Sequence, residues 1–451
     1  MDVLHAVDEG HHTLAAKLAD QGVKYAIGAW VDVIGRPKSK MVPIALLPEM
    51  LAGSERYTPR GIGGLGSMRP HEDECVAIPD ADTARVLSWE PRVAFFNADL
   101  SYGGRAPFEN CPRSILKTVV SEAAEAGFEM QLGVETEFYL LDRSALPEIR
   151  PLVPSSTIYP TPAYDARSVI DSLSFLDEVN EHMAAAGFGM YSFDQEGGNG
   201  QYELDFGHAG VLTMCDRLTY LRLLLSHVAD KRGGLVTYMP RPLTDSWGSG
   251  AHMNMSLTSA VDGHNVFLDE DRNWTDVALS FVAGVLRHSA ALSALTCPTV
   301  TSYKRLRPKL ADGTVSWAPV WARYGTNNRS CMLRLPANRP AIENRAVDMM
   351  SNPYLTSAFT LAAGLEGIKE NLVPDAAVAD DTSNWQAYSP SSQRLPRTLL
   401  EALDAFEADP LAKRVFSAGF IEDYLAMKHG EWDEYHSIVT PWERARYLDD
   451  V

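Results

Sequence analysis

Two glutamates, Glu135 and Glu137, stand two positions apart within the otherwise largely apolar stretch 133–141. In a β-strand, side chains two positions apart lie on one face, so this stretch predicts a strand with both carboxylates together. Adjacent carboxylates repel each other, and a divalent cation is the simplest group that would lie between them. A solvated edge strand is the alternative, and this stretch alone leaves both open.

A second pair of carboxylates, Glu196 and Glu203, flanks the glycine-rich segment Gly197-Gly198-Asn199-Gly200. Two strand-like arms joined by such a turn predict a β-hairpin, which would bring the two glutamates close together. Hairpin carboxylates are more often solvated than functional. Their significance therefore depends on what lies near them.

Residues 248–257 predict a half-buried strand with a polar row on one face. His252, Asn254 and Ser256 alternate there with two methionines and a leucine. A single histidine in such a row could be a satisfied core residue. The row as a whole favours the wall of a polar cavity.

Arginines recur in the second half of the chain: Arg305, Arg329, Arg334 and Arg345. Guanidinium groups bind phosphate and carboxylate oxygens through two parallel hydrogen bonds, although any one of these arginines could form an ordinary surface ion pair. Together with the acidic strands they indicate Mg-nucleotide chemistry on an acidic substrate. The GxxxxGK[ST] pattern of P-loop enzymes is absent.

The chain has 451 residues, 45% of them apolar, and a formal charge of −19. This length predicts two domains, and the negative charge argues against nucleic acid or an anionic membrane as a partner. Five scattered cysteines favour reduced thiols. The polar N-terminus and the lack of a long apolar run predict neither a signal peptide nor a membrane span. We therefore expect a cytoplasmic enzyme.

The elements that must position these residues fall into two predicted domains. Residues 1–104 read as a small mixed α+β domain, and 105–451 as a larger one, with the Pro/Gly-rich passage 103–112 as the boundary. The larger domain is predicted to contain helices over 112–126, 213–231, 276–294 and most of 397–432.

Six motifs in order carry a resemblance to a known family: ETEF (135–138), EGGNGQYE (196–203), GSGAHMNMSL (248–257), SYKRL (302–306), NRSCMLRLP (328–336) and ENR (343–345). In order and spacing they resemble the glutamine synthetase family across almost the whole chain. The resemblance implies an α+β fold, with an N-terminal β-grasp domain and a catalytic domain whose antiparallel half-barrel sheet is flanked by helices. It also implies a homo-oligomer, commonly a dodecamer, with active sites between neighbouring subunits.

The resemblance implies two or three Mg²⁺ or Mn²⁺ ions per active site. Three residues correspond to ligands of the ion nearest the amino-acid substrate: Glu137, Glu196 and Glu203. Three others correspond to ligands of the ion that bridges the ATP phosphates: Glu135, His252 and Glu343. Hard oxygen ligands with one imidazole suit either metal.

The substrates implied by the resemblance are L-glutamate, ATP and an amine, joined through a γ-glutamyl phosphate. Arg305 and Gly248 correspond to residues that bind glutamate, and Arg345 to a further arginine of the site. Arg329 and Arg334 correspond to catalytic residues that hold the γ-phosphoryl group. The nucleotide is expected to contact four residues: Phe206, Asn254, Ser256 and Arg334.

Three departures from the family pattern bear on the amine. Trp317 precedes Ala-Pro where an acidic flap residue is usual, and no carboxylate stands near residues 58–60. Trp247 and Asn254 replace an asparagine and a second histidine. Ammonium needs anionic acceptors, whereas an alkylamine gains from aromatic walls. The departures therefore favour an alkylamine that contacts Trp247 and Trp317.

Within the family the chain is most similar to the γ-glutamylamide ligases, with methylamine as the expected amine. The alternatives are a larger amine (putrescine, ethanolamine or an aromatic amine), ammonium, or a non-catalytic structural or regulatory family member. The general base is open, and Glu74 is a candidate that would act across a subunit interface.

Overall fold

The computed structural model describes residues 5–59, 71, 74–103, 106–153, 162–307, 313, 315–383 and 393–449. Its strands are β1 (Tyr25–Val31), β2 (Pro37–Pro43), β3 (Arg56–Tyr57), β4 (Cys75–Pro79), β5 (Arg85–Val86), β6 (Val93–Tyr102), β7 (Ala106–Pro107), β8 (Phe128–Val134), β9 (Thr136–Asp142), β10 (Met190–Gln195), β11 (Gln201–Phe206), β12 (Ala209–Gly210), β13 (Gly234–Thr237), β14 (Met253–Ser259), β15 (Tyr324–Thr326), β16 (Leu333–Leu335) and β17 (Ile342–Asn344).

The helices flank these strands and dominate the C-terminal part of the chain. They are α1 (Glu9–Asp20), α2 (Leu47–Leu51), α3 (Pro112–Glu125), α4 (Ala166–Asp171), α5 (Leu173–Ala185), α6 (Val211–Asp230), α7 (Asp276–Arg287), α8 (Ser289–Thr296), α9 (Ser302–Arg305), α10 (Pro353–Lys369), α11 (Leu399–Ala408), α12 (Pro410–Val415), α13 (Ala418–Ser437) and α14 (Pro441–Tyr447).

The N-terminal strands form one mixed sheet in the order β2-β1-β6-β4-β3, with β1 parallel to β6. Side chains alternate along β6, so Phe96 packs in a small core with Leu18 and Met50, whereas Phe95 faces the main core. The sheet is therefore covered on both faces. The division of the chain at residues 104 and 105 stays a prediction, since both lie outside the described residues.

Two further sheets carry most of the motifs found in the sequence. One has the order β10-β11-β9-β13 and the other β12-β8-β14-β17-β16-β15, and all their pairings are antiparallel except β15 with β16. β8 and β9 follow each other directly in the chain, but each belongs to a different sheet. The two sheets therefore join into a curled half-barrel, which confirms the predicted fold class.

The predicted helix over 397–432 is three helices. Proline clashes with a helical conformation in the residue before it, so Asp409 is extended, with φ −72° and ψ 124°, and α12 begins at Pro410. A second break precedes α13, where the Ser417 side chain accepts a hydrogen bond from the backbone N–H of Phe420. Local capping thus divides what the apolar periodicity predicts as one helix.

The predicted helix over 276–294 is also divided, into α7 and α8. His288 lies at the junction and contacts carboxylates on both sides, with Nε2 2.8 Å from Glu366 and Nδ1 2.9 Å from Asp409. Within the described ranges, no single helix is long and apolar enough to cross a membrane. Taken together, α7 and α8 have the length and the apolar composition of a membrane span, but they are bent by 75° relative to each other.

A buried arginine ties the N-terminal sheet to the helices. Arg113 on α3 is only 2% exposed and binds three carboxylates: Asp80 at 2.9 Å, Asp99 at 3.1 Å and Asp216 at 3.0 Å. Asp216, on α6, also accepts a hydrogen bond of 2.6 Å from the Tyr354 hydroxyl on α10. One guanidinium therefore neutralises charges from a strand end, a strand and a helix.

We predict that Arg113→Met lowers the free energy of unfolding by about 3–5 kcal/mol, because it leaves the buried Asp216 carboxylate without its cation. Urea denaturation followed by circular dichroism measures the change. Arg414→Met is the control, since Arg414 and Glu122 are each about half exposed, and its cost is expected to stay under about 1 kcal/mol. Equal effects of the two substitutions would contradict a structural role for the Arg113 cluster.

Candidate active site

Three carboxylates form a row across the four-stranded sheet. Asp194 on β10 is opposite Glu203 on β11, and Glu203 is opposite Glu137 on β9. Like charges directly opposite each other destabilise a sheet, so protons or cations must compensate this row. The predicted hairpin is confirmed. The prediction omits Asp194, although it stands two positions before Glu196, the spacing of residues on one strand face.

Glu135 lies at the corner between the two sheets. The prediction of one continuous strand over 133–141 is wrong, because β8 ends at Val134 and β9 begins at Thr136. The backbone N–H of Glu135 donates to the carbonyl oxygen of His252 at 3.1 Å, outside both ladders. Glu135 and Glu137 still line one cavity, which results from the bend rather than from strand alternation.

His252 immediately precedes β14 and is held by Glu135. Its Nδ1 lies 2.8 Å from Glu135 Oε2, and the Asn254 amide donates to Glu135 Oε1 at 3.1 Å. Burial, with the charge of Arg345, lowers the pKa of His252, so the imidazole is neutral near pH 7. A neutral ring that donates from Nδ1 keeps the Nε2 lone pair free for a metal.

Two groups of side chains bring their ligand atoms within 4.8 Å of one another: Glu135, His252 and Glu343, and Glu137, Glu203 and His252. Glu196 lines the same cavity but belongs to neither group. Carboxylate oxygens with one imidazole form a donor set that fits Mg²⁺ or Mn²⁺. The assignment of individual ligands to two ions stays a prediction.

The carboxylates on β9 and β11 hold protons tightly, whereas contacts with His252 lower the pKa of Glu135 and the charge of Arg345 lowers that of Glu343. Burial, together with the charge of Glu196, raises the pKa of Glu137 to about 8, and burial with Glu135 nearby raises that of Asp205 to about 7. Burial also raises the pKa of Glu203. Without a bound cation, β9 and β11 therefore concentrate negative charge, which proton uptake relieves in addition to the nearby arginines.

Gly250 leaves room at the centre of the cluster. A Cβ at this position would lie 2.6 Å from Arg305 Nη2, 2.9 Å from His252 Nε2 and 3.0 Å from Glu137 Oε1. Its backbone N–H donates to Glu137 Oε2 at 2.7 Å. Gly248 is similarly confined, since its Cβ would lie 2.6 Å from the Pro240 carbonyl oxygen. Gly250 thus lets the backbone approach Glu137, and Gly248 lets it approach Arg305.

Arginines form the opposite side of the cavity. Arg334 binds the fully buried Glu343 at 2.7 Å, and Arg345 binds its other oxygen. Arg329 lines the cavity and is exposed. Buried Arg305 donates to the Arg345 carbonyl, but its Nη1 has no hydrogen-bond partner among the described residues. A buried donor without a partner suits an anionic ligand.

Three of the predicted nucleotide contacts, Phe206, Asn254 and Ser256, are not among the residues that line the cavity. Asn254 instead donates a hydrogen bond to Glu135. Phe206 is three positions after Glu203, so it faces the opposite side of β11 and packs in the core, with its ring 5.6 Å from that of Phe188. Ser256 is half-buried on β14, opposite Gln131. A nucleotide role for Phe206 or Ser256 stays a prediction.

Aromatic side chains lie on the cavity wall where the sequence predicts the amine. Trp247 and Trp317 both line the cavity, which has a volume of about 290 Å³. Trp317 is 48% exposed and has a φ of 51°. Tyr164, which the sequence prediction omits, lines the same cavity with a φ of 62°. Its position on an irregular segment offers no periodic signal.

Glu74 lies outside this cavity lining within its own chain. It is exposed and directly precedes β4. Its predicted role as a base across a subunit interface stays a prediction. The prediction that no carboxylate stands near residues 58–60 concerns in part Arg60, which lies outside the described residues.

A family model described as "Glutamine synthetase, catalytic domain" matches residues 109–447. A glutamine synthetase of Rhizobium leguminosarum bv. phaseoli is 33% identical over 97% of the chain and 99% of that protein. A glutamate–methylamine ligase of Methyloversatilis universalis is also 33% identical, over 96% of the chain and 98% of that protein.

A solved structure described as a GmaS/ADP complex has the same fold. It superposes with a TM-score of 0.88 at 31% identity, covering 98% of the chain and all of that chain. A ligand-free GmaS structure superposes with a TM-score of 0.87. The likeness therefore extends over the whole described fold, including both half-barrel sheets.

We predict that Mg²⁺ raises the melting temperature more at pH 8 than at pH 6, by at least about 2 °C. The raised pKa of Glu137 stabilises the cation-free fold fully below the ordinary value of 4.5, and this stabilisation is lost as the pH rises toward 8. A bound cation replaces the lost protons.

Differential scanning calorimetry at constant ionic strength measures the effect, with NaCl in place of MgCl₂ as the control. Glu137→Gln, which removes the titrating group, is expected to reduce the difference between the two pH values. An equal or larger Mg²⁺ effect at pH 6 would show that the carboxylate cluster does not hold the cation.

Proposed function

Because the chain belongs to the glutamine synthetase family and is an ATP-dependent γ-glutamyl ligase, we propose that its amine substrate is methylamine. The proposed reaction transfers the ATP γ-phosphoryl group to the γ-carboxylate of L-glutamate. Methylamine then displaces phosphate, giving γ-glutamylmethylamide, ADP and phosphate.

The observation that carries this proposal is the aromatic wall formed by Trp247 and Trp317. A methylammonium ion keeps a cationic head but adds a methyl group, which gains from contact with aromatic faces. Ammonium has no such group and depends on hydrogen-bond acceptors. The glutamate–methylamine ligase of Methyloversatilis universalis and the GmaS structures add support through their similarity to the chain.

On the glutamate side, we assign the α-carboxylate to Arg305, whose Nη1 lacks a partner among the described residues. Gly248 lies beside Arg305, since a Cβ there would be 2.8 Å from Arg305 Cγ. Its backbone is therefore assigned to the same substrate. Arg305 is fixed by its bond to the Arg345 carbonyl, so it can orient glutamate before phosphoryl transfer.

On the phosphate side, we assign the γ-phosphoryl oxygens to Arg329 and Arg334, with Arg345 completing the positive wall. Arg334 and Arg345 are held on Glu343, which fixes their guanidinium groups without removing every donor. Preorganised cations of this kind stabilise the charge that develops as the phosphoryl group moves.

The proposed cation ligands are Glu137, Glu196 and Glu203 on the glutamate side, and Glu135, His252 and Glu343 on the ATP side. Divalent cations bound there would neutralise phosphate charge and orient the two substrates. The chain itself contributes a buried pocket with many carboxylates. Each of these ligands is either already deprotonated or releases a proton when the ion binds. Two or three ions per site remain the expectation.

We also propose a homo-oligomer, with the N-terminal domain 1–104 of one subunit placed against the catalytic domain 105–451 of the next. In such an assembly Glu74 would be available to take the proton of the amine. Mixing an inactive Glu74→Gln chain with an inactive Arg334→Gln chain tests this arrangement, since hybrid oligomers would regain part of the activity.

Ordinary glutamine synthesis from ammonium is the second candidate, because relatives named glutamine synthetase are as similar as the methylamine ligase. Phosphate release with glutamate and ATP separates the two. We expect kcat/KM for methylamine to exceed that for ammonium, ethylamine and putrescine by about tenfold or more. A higher value for ammonium would reject the methylamine proposal.

We predict that Trp317→Asp shifts the preference toward ammonium by about tenfold, because it exchanges an aromatic wall for an anionic acceptor. Aspartate tolerates the positive φ at this position better than most residues do. Trp317→Asn is the matched control, with the same shape but no charge. An equal shift in both variants would mean that lost aromatic contact, rather than added charge, decides the preference.

A further inference from the structure

Arg339 lies beside the group formed by Glu135, His252 and Glu343. The proposed function assigns no role to it. It lies in the connection between β16 and β17 and lines the cavity. Its Nη2 lies 2.6 Å from Asn254 Oδ1, 3.1 Å from Glu135 Oε1 and 3.3 Å from Glu343 Oε2. Its Nε donates to the same Asn254 oxygen at 3.1 Å.

The guanidinium of Arg339 thus contacts two of the three side chains in the group Glu135, His252 and Glu343. A dication that approached those carboxylate oxygens would meet a positive charge already bound to them. Two like charges a few ångströms apart repel each other more strongly in a partly buried site than in water. Arg339 and a metal ion therefore compete for the same oxygens.

Arg339 differs from the other two arginines on Glu343 in how firmly it is held. The side chains of Arg334 and Arg345 are 8% and 7% exposed, whereas that of Arg339 is 34% exposed. Its anchor beyond the two carboxylates is the Asn254 amide oxygen, a neutral acceptor. Arg339 can therefore leave at lower cost, because solvent and a phosphate group can replace these contacts.

We propose that Arg339 is a positioning residue that couples metal binding to nucleotide binding. Arg339 binds the Glu135 and Glu343 oxygens that the cation would also bind. A nucleotide polyphosphate offers Arg339 stronger acceptors, and the departure of Arg339 removes a competing positive charge from both carboxylates, which then bind the ion more tightly. The proposal rests on the proposed function only in placing a metal and a nucleotide here, and is independent of the amine.

Mn²⁺ titration with and without ADP tests the coupling, by calorimetry and by electron paramagnetic resonance of free Mn²⁺. In the wild-type chain, ADP is expected to tighten one class of Mn²⁺ site by about tenfold or more. In Arg339→Met, Mn²⁺ alone binds that class several-fold more tightly, and the gain caused by ADP falls by about fivefold. The site formed by Glu137 and Glu203 is an internal control.

Arg287→Met is the matched control, because Arg287 also bridges two glutamates, Glu366 and Glu370, but lies far from the cavity lining on the helical surface. It is expected to leave both Mn²⁺ affinities unchanged. Arg339→Lys keeps the charge and should restore part of the coupling. Asn254→Ala, which removes the anchor of Arg339, should tighten Mn²⁺ binding to a smaller extent.

If Arg339 has only a structural role, the change in Mn²⁺ affinity is expected to have the opposite sign. Its loss would then disorder Glu135 and Glu343 and weaken Mn²⁺ binding. Weaker or unchanged Mn²⁺ affinity in Arg339→Met, or an unchanged effect of ADP, would overturn the coupling role. Failure of the methylamine proposal would appear separately. The wild-type chain would then prefer an amine other than methylamine, while the Mn²⁺ results stayed as expected.

Discussion

The crowding of carboxylates on one buried wall of the half-barrel is the constraint on which the rest of the site depends. Strand pairing places Asp194, Glu203 and Glu137 side by side, a costly arrangement for any sheet without counter-charges. Arginines supply part of the counter-charge, since Arg305 and Arg345 partly offset the rise in the pKa of Glu137, and Arg334 and Arg345 bind Glu343. The remaining negative charge is what gives the site its affinity for divalent ions.

The sheets and helices around this site are themselves held together by a buried cluster of charges. Arg113 joins carboxylates of the N-terminal sheet to Asp216 on α6, so displacement of that sheet would uncover a charge. Glu135 in turn marks the point where the chain passes from one sheet of the half-barrel to the other. The corner proposed to bind a metal ion therefore coincides with the junction between the two sheets, and a change in either would disturb both.

What the sequence could predict follows from regular spacing. The glycine-rich turn predicts the hairpin of β10 and β11, and the ordered motifs predict the half-barrel. The pairing of Glu203 with Glu137 is known only from the structure. The bend at Glu135 was not predictable, because it depends on β8 and β9 choosing partners distant in sequence. Arg339 was not predicted for a similar reason, because it lies in an irregular connection where neither strand nor helix spacing relates it to Glu343. At Phe206 the family resemblance predicted a nucleotide contact but did not reveal that the ring faces the core.

The residues on the aromatic wall differ from the acidic ones in how they are held. The carboxylates of the acidic row sit on strands whose registers fix them, whereas Trp317 and Tyr164 sit on irregular segments with φ values of 51° and 62°. Such conformations cost about 1–3 kcal/mol and persist only where the surroundings require them. Because loop residues can change without shifting a strand register, the aromatic wall proposed to contact the amine can vary while the carboxylates and arginines stay in place. Substrate choice within this fold is therefore separable, in physical terms, from the activation of glutamate.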